Sequence, residues 1–112
     1  MSQVDLKAYL KFVEGVTSLP SNNYDHLHTR IEELRSDNPF LNPSLALTSA
    51  IGLGSECGEF QEIIKKVFFQ GKPFSEETRF HLKRELGDIL WYWTTACRAL
   101  DLDPNQVVLE NV

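Results

Sequence analysis

Residues 43–70, PSLALTSAIGLGSECGEFQEIIKKVFFQ, decide the fold because they predict one long helix. Asn42 followed by Pro43 is typical of a helix N-cap with proline at the first helical position. The run Gly71-Lys72-Pro73 predicts that this helix ends near Gln70. With a rotation of about 100° per residue, most apolar side chains of the segment fall on one broad arc. We therefore expect that arc to pack against another part of the chain.

The rest of the chain predicts further helices and no sheet. Apolar side chains at helical spacing predict helices over 3–18, 23–36 and 75–100, with Ser75 as the N-cap of the last of these. Asp103-Pro104 repeats the cap-then-proline signal and predicts a final helix that reaches the C-terminus. No stretch shows the sustained period-two alternation of a half-buried strand. The sequence thus predicts an all-α fold, with residues 1–112 in a single domain.

Four acids lie in or beside the apolar arcs of the two long helices. Glu56 falls inside the arc of the first long helix, and Glu59 lies on its edge. Glu85 and Asp88 repeat this spacing on the second long helix, against equally apolar neighbours. Acids on such arcs are uncommon, because an uncompensated buried carboxylate costs several kcal/mol. If the two helices pack antiparallel through their arcs, the four carboxylates can converge.

A cluster of four carboxylates needs protons, basic partners or a cation to offset its repulsion. A single E-x-x-E on a helix is usually a solvated face or an i,i+3 charge partner, but two pairs on consecutive helices favour a metal site. An all-oxygen set suits Mg²⁺ or Mn²⁺ and lacks the histidine and cysteine ligands expected for zinc. Because Mg²⁺ often binds through few carboxylates plus substrate phosphates, the pattern indicates phosphoryl or nucleotidyl chemistry.

Charge and cysteine content narrow the class of protein. The formal net charge is −5, and no run of Lys and Arg exceeds two residues, which argues against a protein that coats nucleic acid or an anionic membrane. Cys57 and Cys97 form no C-x-x-C pair, so we expect reduced, packed thiols. No segment approaches the roughly 20 apolar residues of a membrane span, and the N-terminus has no apolar signal region. We therefore expect a cytoplasmic protein.

Two motifs carry a family resemblance. GLGSECGEFQEIIKK at 52–66 and ELGDILWYW at 85–93 resemble the MazG-like, all-α nucleoside triphosphate pyrophosphohydrolases. The signature of that family is E-x-x-E followed, after a gap, by E-x-x-D. Here the pairs Glu56/Glu59 and Glu85/Asp88 are separated by 25 residues. The resemblance covers about residues 43–112 and implies a bundle of four to five helices that assembles as a homodimer or a dimer of dimers.

The resemblance also implies a reaction and a set of roles. It implies hydrolysis of a nucleoside or deoxynucleoside triphosphate between the α- and β-phosphates, giving monophosphate and pyrophosphate. Glu56, Glu59, Glu85 and Asp88 would hold Mg²⁺, with Mn²⁺ as an alternative, and Glu59 is our candidate for the group that takes the proton of the attacking water. We expect Lys65, Lys66 and Asn111 to contact the phosphates.

Two departures from the family pattern keep alternatives open. Many relatives carry a further glutamate directly before the first acid, where this chain has Ser55, and this leaves the general base undecided. Relatives also continue from the C-terminal asparagine with N-x-x-K, whereas this sequence ends at Val112. Lys65, Lys66, Arg84 or a neighbouring subunit would then supply the phosphate contacts. The alternatives are a narrower relative (a dUTP or dCTP pyrophosphatase, or a phosphoribosyl-ATP pyrophosphohydrolase) and a non-catalytic module that binds nucleotide.

Overall fold

The computed structural model describes residues 3–112, which fold into helices joined by short connections. The helices are α1 (Leu6–Val16), α2 (Leu19–Asn22), α3 (Tyr24–Asp37), α4 (Pro43–Phe69), α5 (Glu76–Ala99) and α6 (Pro104–Asn111). The part of the chain that the structure describes contains no strand, so the predicted all-α class is confirmed. The chain divides into two compact units, one ending at Asn38 and the other running from Pro39 to Val112.

The first unit contains the two predicted helices and one further helical turn. Asp5 caps α1 by accepting a hydrogen bond from the Ala8 N–H at 3.1 Å, and Asn23 caps α3 through the His26 N–H at 3.1 Å. Between the two predicted helices, where the sequence predicted no element, lies the single turn α2, with Pro20 near its start. This turn packs against α3.

The second unit is built on α4 and α5, whose ends follow the local sequence signals. The side chain of Asn42 accepts a hydrogen bond from the Leu45 N–H at 3.1 Å, as expected for an N-cap. At the other end of α4, Gly71 has a φ of 71°, a left-handed conformation that costs glycine little. Ser75 caps α5 by accepting from the Thr78 N–H at 3.2 Å.

The two long helices form an antiparallel hairpin. Only a short connection joins the end of α4 to Ser75, and the Asn42 N–H donates to the Ala99 carbonyl at 2.9 Å, joining the start of α4 to the end of α5. After α5 the chain turns at Asp101, which has a φ of 53°, and the Leu102 N–H donates back to the Cys97 carbonyl at 2.8 Å. This is a Schellman-type termination with aspartate where glycine is usual. Asp103 then caps α6 through the Asn105 N–H.

The contact between α4 and α5 is close because of one glycine. Gly52 on α4 is buried, and the ring of Tyr92 on α5 lies where a Cβ at this position would be. Leu82 and Cys97 are among the buried side chains of α5. No helix within residues 3–112 combines the length and the apolar character needed to cross a bilayer.

Candidate metal centre

Three carboxylates from the two long helices meet at one place in the hairpin. Glu56, Glu59 and Glu85 each direct one carboxylate oxygen into a group in which these atoms all lie within 4.8 Å of one another. Glu56 and Glu85 are half-buried, whereas Glu59 is exposed. The cluster therefore has a buried side formed by two acids and an open side formed by the third.

The antiparallel register explains why these residues meet. Gly52 and Tyr92 are in contact, and seven residues along each helix returns to nearly the same face. Seven residues after Gly52 is Glu59, and seven residues before Tyr92 is Glu85. The same packing that places the Tyr92 ring against α4 thus brings Glu59 level with Glu85. Glu56, one turn before Glu59, completes the group.

The buried side of the cluster has unpartnered oxygens. One carboxylate oxygen of Glu56 and one of Glu85, the Oε2 atom in each case, are buried without a hydrogen-bond partner. Buried polar atoms in folded proteins nearly always have a partner, so two such acceptors side by side call for a proton or a cation. This arrangement fits a divalent cation held by oxygen ligands.

The electrostatics of the cluster also favour a bound proton or cation. The adjacent Glu85, to which a protonated Glu56 can donate a hydrogen bond, together with burial and the charge of Glu59, raises the pKa of Glu56 to about 7. Like charges held together favour the protonated form of one member, and a bound cation would favour the ionised form instead. A cation bound to the cluster near neutral pH would therefore displace a proton.

The fourth predicted ligand, Asp88, is not part of the group that the other three form. Among the described residues, the cluster comprises Glu56, Glu59 and Glu85, and Asp88 is exposed one turn beyond Glu85 on α5. The sequence placed Asp88 just outside the apolar arc, which agrees with its exposure.

The two predicted phosphate-binding lysines have a partner on their own helix. Lys65 Nζ lies 2.9 Å from Glu62 Oε2, and Lys66 Nζ lies 3.9 Å from the other carboxylate oxygen of Glu62. The hydrogen bond and charge of Lys65 lower the pKa of Glu62. These are exposed ion pairs, which contribute little to stability and exchange easily, so both lysines can turn towards an anionic ligand.

Asn111 lies beside a cavity that the sequence did not predict. Helices α5 and α6 line an open, mostly apolar cleft of about 730 Å³. It is lined by Leu86, Ile89, Leu90, Trp93, Val107, Val108, Glu110 and Asn111. One lining residue, Leu86, directly follows the cluster member Glu85 in sequence. The sequence signal for the cleft is the apolar pair Val107-Val108 on the last helix.

Several other polar and aromatic side chains of α4 and α5 take structural positions. His81 lies 3.6 Å from Glu77 on the surface of α5, one turn before Glu85. Trp91 and Tyr92 form an edge-to-face pair with ring centroids 4.9 Å apart. Cys97 is buried as expected, but Cys57 is exposed, and the prediction that it is packed was wrong. The sequence placed Cys57 on the apolar arc of the first long helix, but the rotation of α4 that packing sets turns its side chain to solvent.

The hairpin and its acids thus define an all-α protein in which two antiparallel helices carry a candidate divalent-cation site. A family model described as the MazG nucleotide pyrophosphohydrolase domain matches residues 46–112. This is more than half of the chain, and the protein belongs to that family, which confirms the resemblance read from the sequence. The matched range includes all four predicted metal ligands and all three predicted phosphate-binding residues. Searches of curated proteins and of solved structures give no significant match.

Proposed function

We propose that this protein is an Mg²⁺-dependent nucleoside triphosphate pyrophosphohydrolase. The observation that carries the proposal is the group of three carboxylates, two of them with a buried oxygen that lacks a partner, within the segment that matches the MazG family. The substrate would be a nucleoside or deoxynucleoside triphosphate, cleaved between the α- and β-phosphates. The proposal assigns the protein to the cytoplasm, where both of its free cysteines would stay reduced.

Glu56, Glu59 and Glu85 would hold the cation, with Asp88 as the fourth ligand reached from the exposed side. When bound, Mg²⁺ (or Mn²⁺) neutralises triphosphate charge and makes hydroxide available near neutral pH. Without it, three carboxylates in a chain of net charge −5 would repel a polyanionic substrate. The unpartnered oxygens of Glu56 and Glu85 supply ligand atoms that have no competing hydrogen bond within the described chain.

The remaining roles follow from exposure and charge. Glu59 is the exposed member of the cluster, so its carboxylate can accept the proton of a water molecule that attacks the α-phosphorus. The bond between the α-phosphorus and the bridging oxygen to the β-phosphate then breaks, and pyrophosphate leaves. We assign the β- and γ-phosphates to Lys65 and Lys66, which would exchange Glu62 for them, with Asn111 as a neutral hydrogen-bonding group.

The test is pyrophosphate release from a panel of ribo- and deoxyribonucleoside triphosphates, with Mg²⁺ and with EDTA. We expect metal-dependent release that is lost in Glu56→Gln and Glu59→Gln, because each change removes a negatively charged ligand without changing size. Glu77→Gln is the matched control, since Glu77 is an exposed acid on α5 outside the cluster. In water enriched in ¹⁸O, the label should enter the monophosphate and not the pyrophosphate, because the attack is at the α-phosphorus.

The outcomes separate this proposal from its alternatives. Pyrophosphate release from the triphosphates of a single base, or only from a phosphoribosyl nucleotide, would assign a narrower specificity to the same site. Nucleotide binding that depends on Mg²⁺ but gives no product would instead assign a non-catalytic module. Equal activity of the cluster variants and the Glu77→Gln control would refute the role of the carboxylates.

A further inference from the structure

The end of the hairpin, where α4 joins α5, exposes three phenylalanines. Phe68 and Phe69 end α4 and are 74% and 85% exposed, and Phe74, in the connection to α5, is 63% exposed. Lys72 lies between them in sequence. We call these four residues the tip. Such a concentration of exposed apolar side chains usually marks an interaction site.

Hydrogen bonds hold the backbone of the tip on both sides. The Lys72 N–H donates to the Lys66 carbonyl at 3.1 Å, which closes the left-handed turn at Gly71. On the other side, the Thr78 hydroxyl donates to the Pro73 carbonyl at 3.1 Å. An ordered turn therefore presents the phenylalanines, and a partner that buries them has little backbone left to order.

The positive charge of the chain is concentrated around the tip. Residues 65–84 contain six of the eleven Lys and Arg residues but only two of the sixteen acids, which gives this segment a net charge of +4. The other residues together carry −9, so the net charge that argues against coating of a membrane by the whole chain does not describe this end of the hairpin. Lys72, Lys83 and Arg84 form no ion pair within residues 3–112. The tip therefore combines apolar surface with cations that are free to meet an anion.

We propose that the tip docks on the surface of an anionic lipid bilayer, with its phenylalanines in the interfacial region and the surrounding cations at the lipid phosphates. Peripheral proteins bind in this way by combining buried apolar area with attraction to anionic headgroups. Single-stranded nucleic acid also pairs aromatic rings with cations, but it follows a charged groove. The phenylalanines of the tip project from the end of a hairpin, which suits a planar boundary better than a strand that must be enclosed. Glu59 lies ten residues before Phe69, about 15 Å along the helix, so the carboxylate cluster would stay in water.

The first test is flotation with vesicles of equal parts phosphatidylcholine and phosphatidylglycerol, compared with vesicles of phosphatidylcholine alone. We expect binding to the anionic vesicles that weakens as the salt concentration rises. Phe69→Ser should lower the partition coefficient by about tenfold or more, because it removes apolar area from the interface. Lys72→Gln should lower it by about fivefold, because it removes one cation near the lipid phosphates. The matched controls, Phe40→Ser and Arg98→Gln, should bind like the unaltered protein, since both residues are exposed away from the tip.

The second test locates the tip in the bilayer and leaves all three phenylalanines in place. In a Cys57→Ser background, an environment-sensitive fluorophore is attached to Gln70→Cys, at an exposed position within the tip segment. Its emission should shift to the blue with anionic vesicles and should be quenched by lipids brominated on their acyl chains. The same label on Asn105→Cys, at the exposed start of α6, should show neither effect. Cys97 is buried and should remain unlabelled.

The other outcomes overturn the proposal. Equal binding to vesicles with and without phosphatidylglycerol would remove the role of the cations, and binding that Phe69→Ser and Lys72→Gln leave unchanged would place the contact elsewhere. Binding of a single-stranded oligonucleotide in place of vesicles would assign the tip to nucleic acid. Failure to bind either would overturn the proposal as well, and a lower mass in solution for Phe69→Ser would then show that a second copy covers the tip. None of these measurements depends on catalysis, so the proposed function is tested separately.

Discussion

The contact between Gly52 and Tyr92 gives the most demanding test of the hairpin geometry. In Gly52→Ala, the new Cβ would lie 2.5 Å from Cζ of Tyr92 and closer still to Cδ1 and Cε1. Carbon atoms in contact prefer separations of about 3.5–4.0 Å, so the ring must move by more than about 1 Å. Gly54, two residues further along the same helix, has no atom within 4 Å of its Cβ position. The two glycines therefore separate the effect of packing from that of helix propensity.

Two opposing effects determine how far each substitution changes the free energy of unfolding. Alanine is more favourable than glycine within a helix by about 1 kcal/mol, and this gain applies at both positions. Overpacking costs about 1–3 kcal/mol, and three displaced ring atoms place Gly52→Ala in the upper part of that range. We expect Gly52→Ala to lower the free energy of unfolding by about 1–2 kcal/mol and Gly54→Ala to raise it by about 0.5–1 kcal/mol. The corresponding Tm changes are a fall of roughly 5–15 °C and a rise of roughly 2–8 °C.

The assay is thermal and urea unfolding followed by circular dichroism, with metal removed by EDTA so that cation binding does not contribute. A double-mutant cycle with Tyr92→Ala isolates the contact. In that background Gly52→Ala should no longer destabilise, because the ring that it displaces is gone. If Gly52→Ala is as stable as Gly54→Ala, or if its cost persists without the Tyr92 ring, then the register that brings Glu59 level with Glu85 is wrong.

Three further predictions concern the cluster and the end of α5. Without divalent cations, stability should fall as pH rises from about 4.5 to about 7 and then level off, because Glu56 has a raised pKa in the folded state and keeps its proton longer there than in the unfolded chain. Glu56→Gln should flatten this part of a plot of Tm against pH. An unchanged plot would contradict the assignment of the raised pKa to Glu56. Saturating Mg²⁺ should raise Tm, with about 2.7 kcal/mol of stabilisation at 100 times Kd, and Glu85→Gln should abolish the rise while the metal-free protein becomes no less stable. Asp101→Gly should raise the free energy of unfolding by about 0.5–1 kcal/mol in urea titrations. Glycine adopts the left-handed conformation of this position at lower cost, and the change removes a negative charge from the C-terminus of a helix.

The ends of the helices could be predicted from sequence because their signals are local. Asn42, Ser75 and Asp103 each accept a hydrogen bond from a backbone N–H two or three residues later, and nothing distant is needed to form it. Helix α2 was missed for a related reason. A single turn buries too little surface to leave a periodic pattern, and Pro20 is equally consistent with the end of one helix and the start of another.

Positions at the margins of the apolar arcs could not be predicted in the same way. Glu56 was placed inside its arc, and the structure half-buries it, whereas Glu59 and Asp88 were placed at or just beyond the margins and are exposed. A rotation of a helix by a few tens of degrees moves a marginal residue from the interface to solvent, and that rotation is set by packing. Here the Gly52–Tyr92 contact sets it, and no local signal predicts which aromatic ring will meet which glycine. The ion pair between Lys65 and Glu62 could have been predicted from their i,i+3 spacing.

The cluster is most simply explained as a feature that serves binding at the expense of the metal-free fold. Glu56 and Glu85 bring like charges together on the side of the hairpin that should bury apolar groups, and each leaves an oxygen without a partner. Apolar residues of similar volume would pack at these positions without that repulsion, and replacing buried charges in this way is often neutral or stabilising. A chain that needed only to fold would have no use for Glu56 with a pKa of about 7. A chain that binds a divalent cation gains from it, because the ion replaces the retained proton and engages the free oxygens, so its binding energy stabilises the site for a polyanionic substrate.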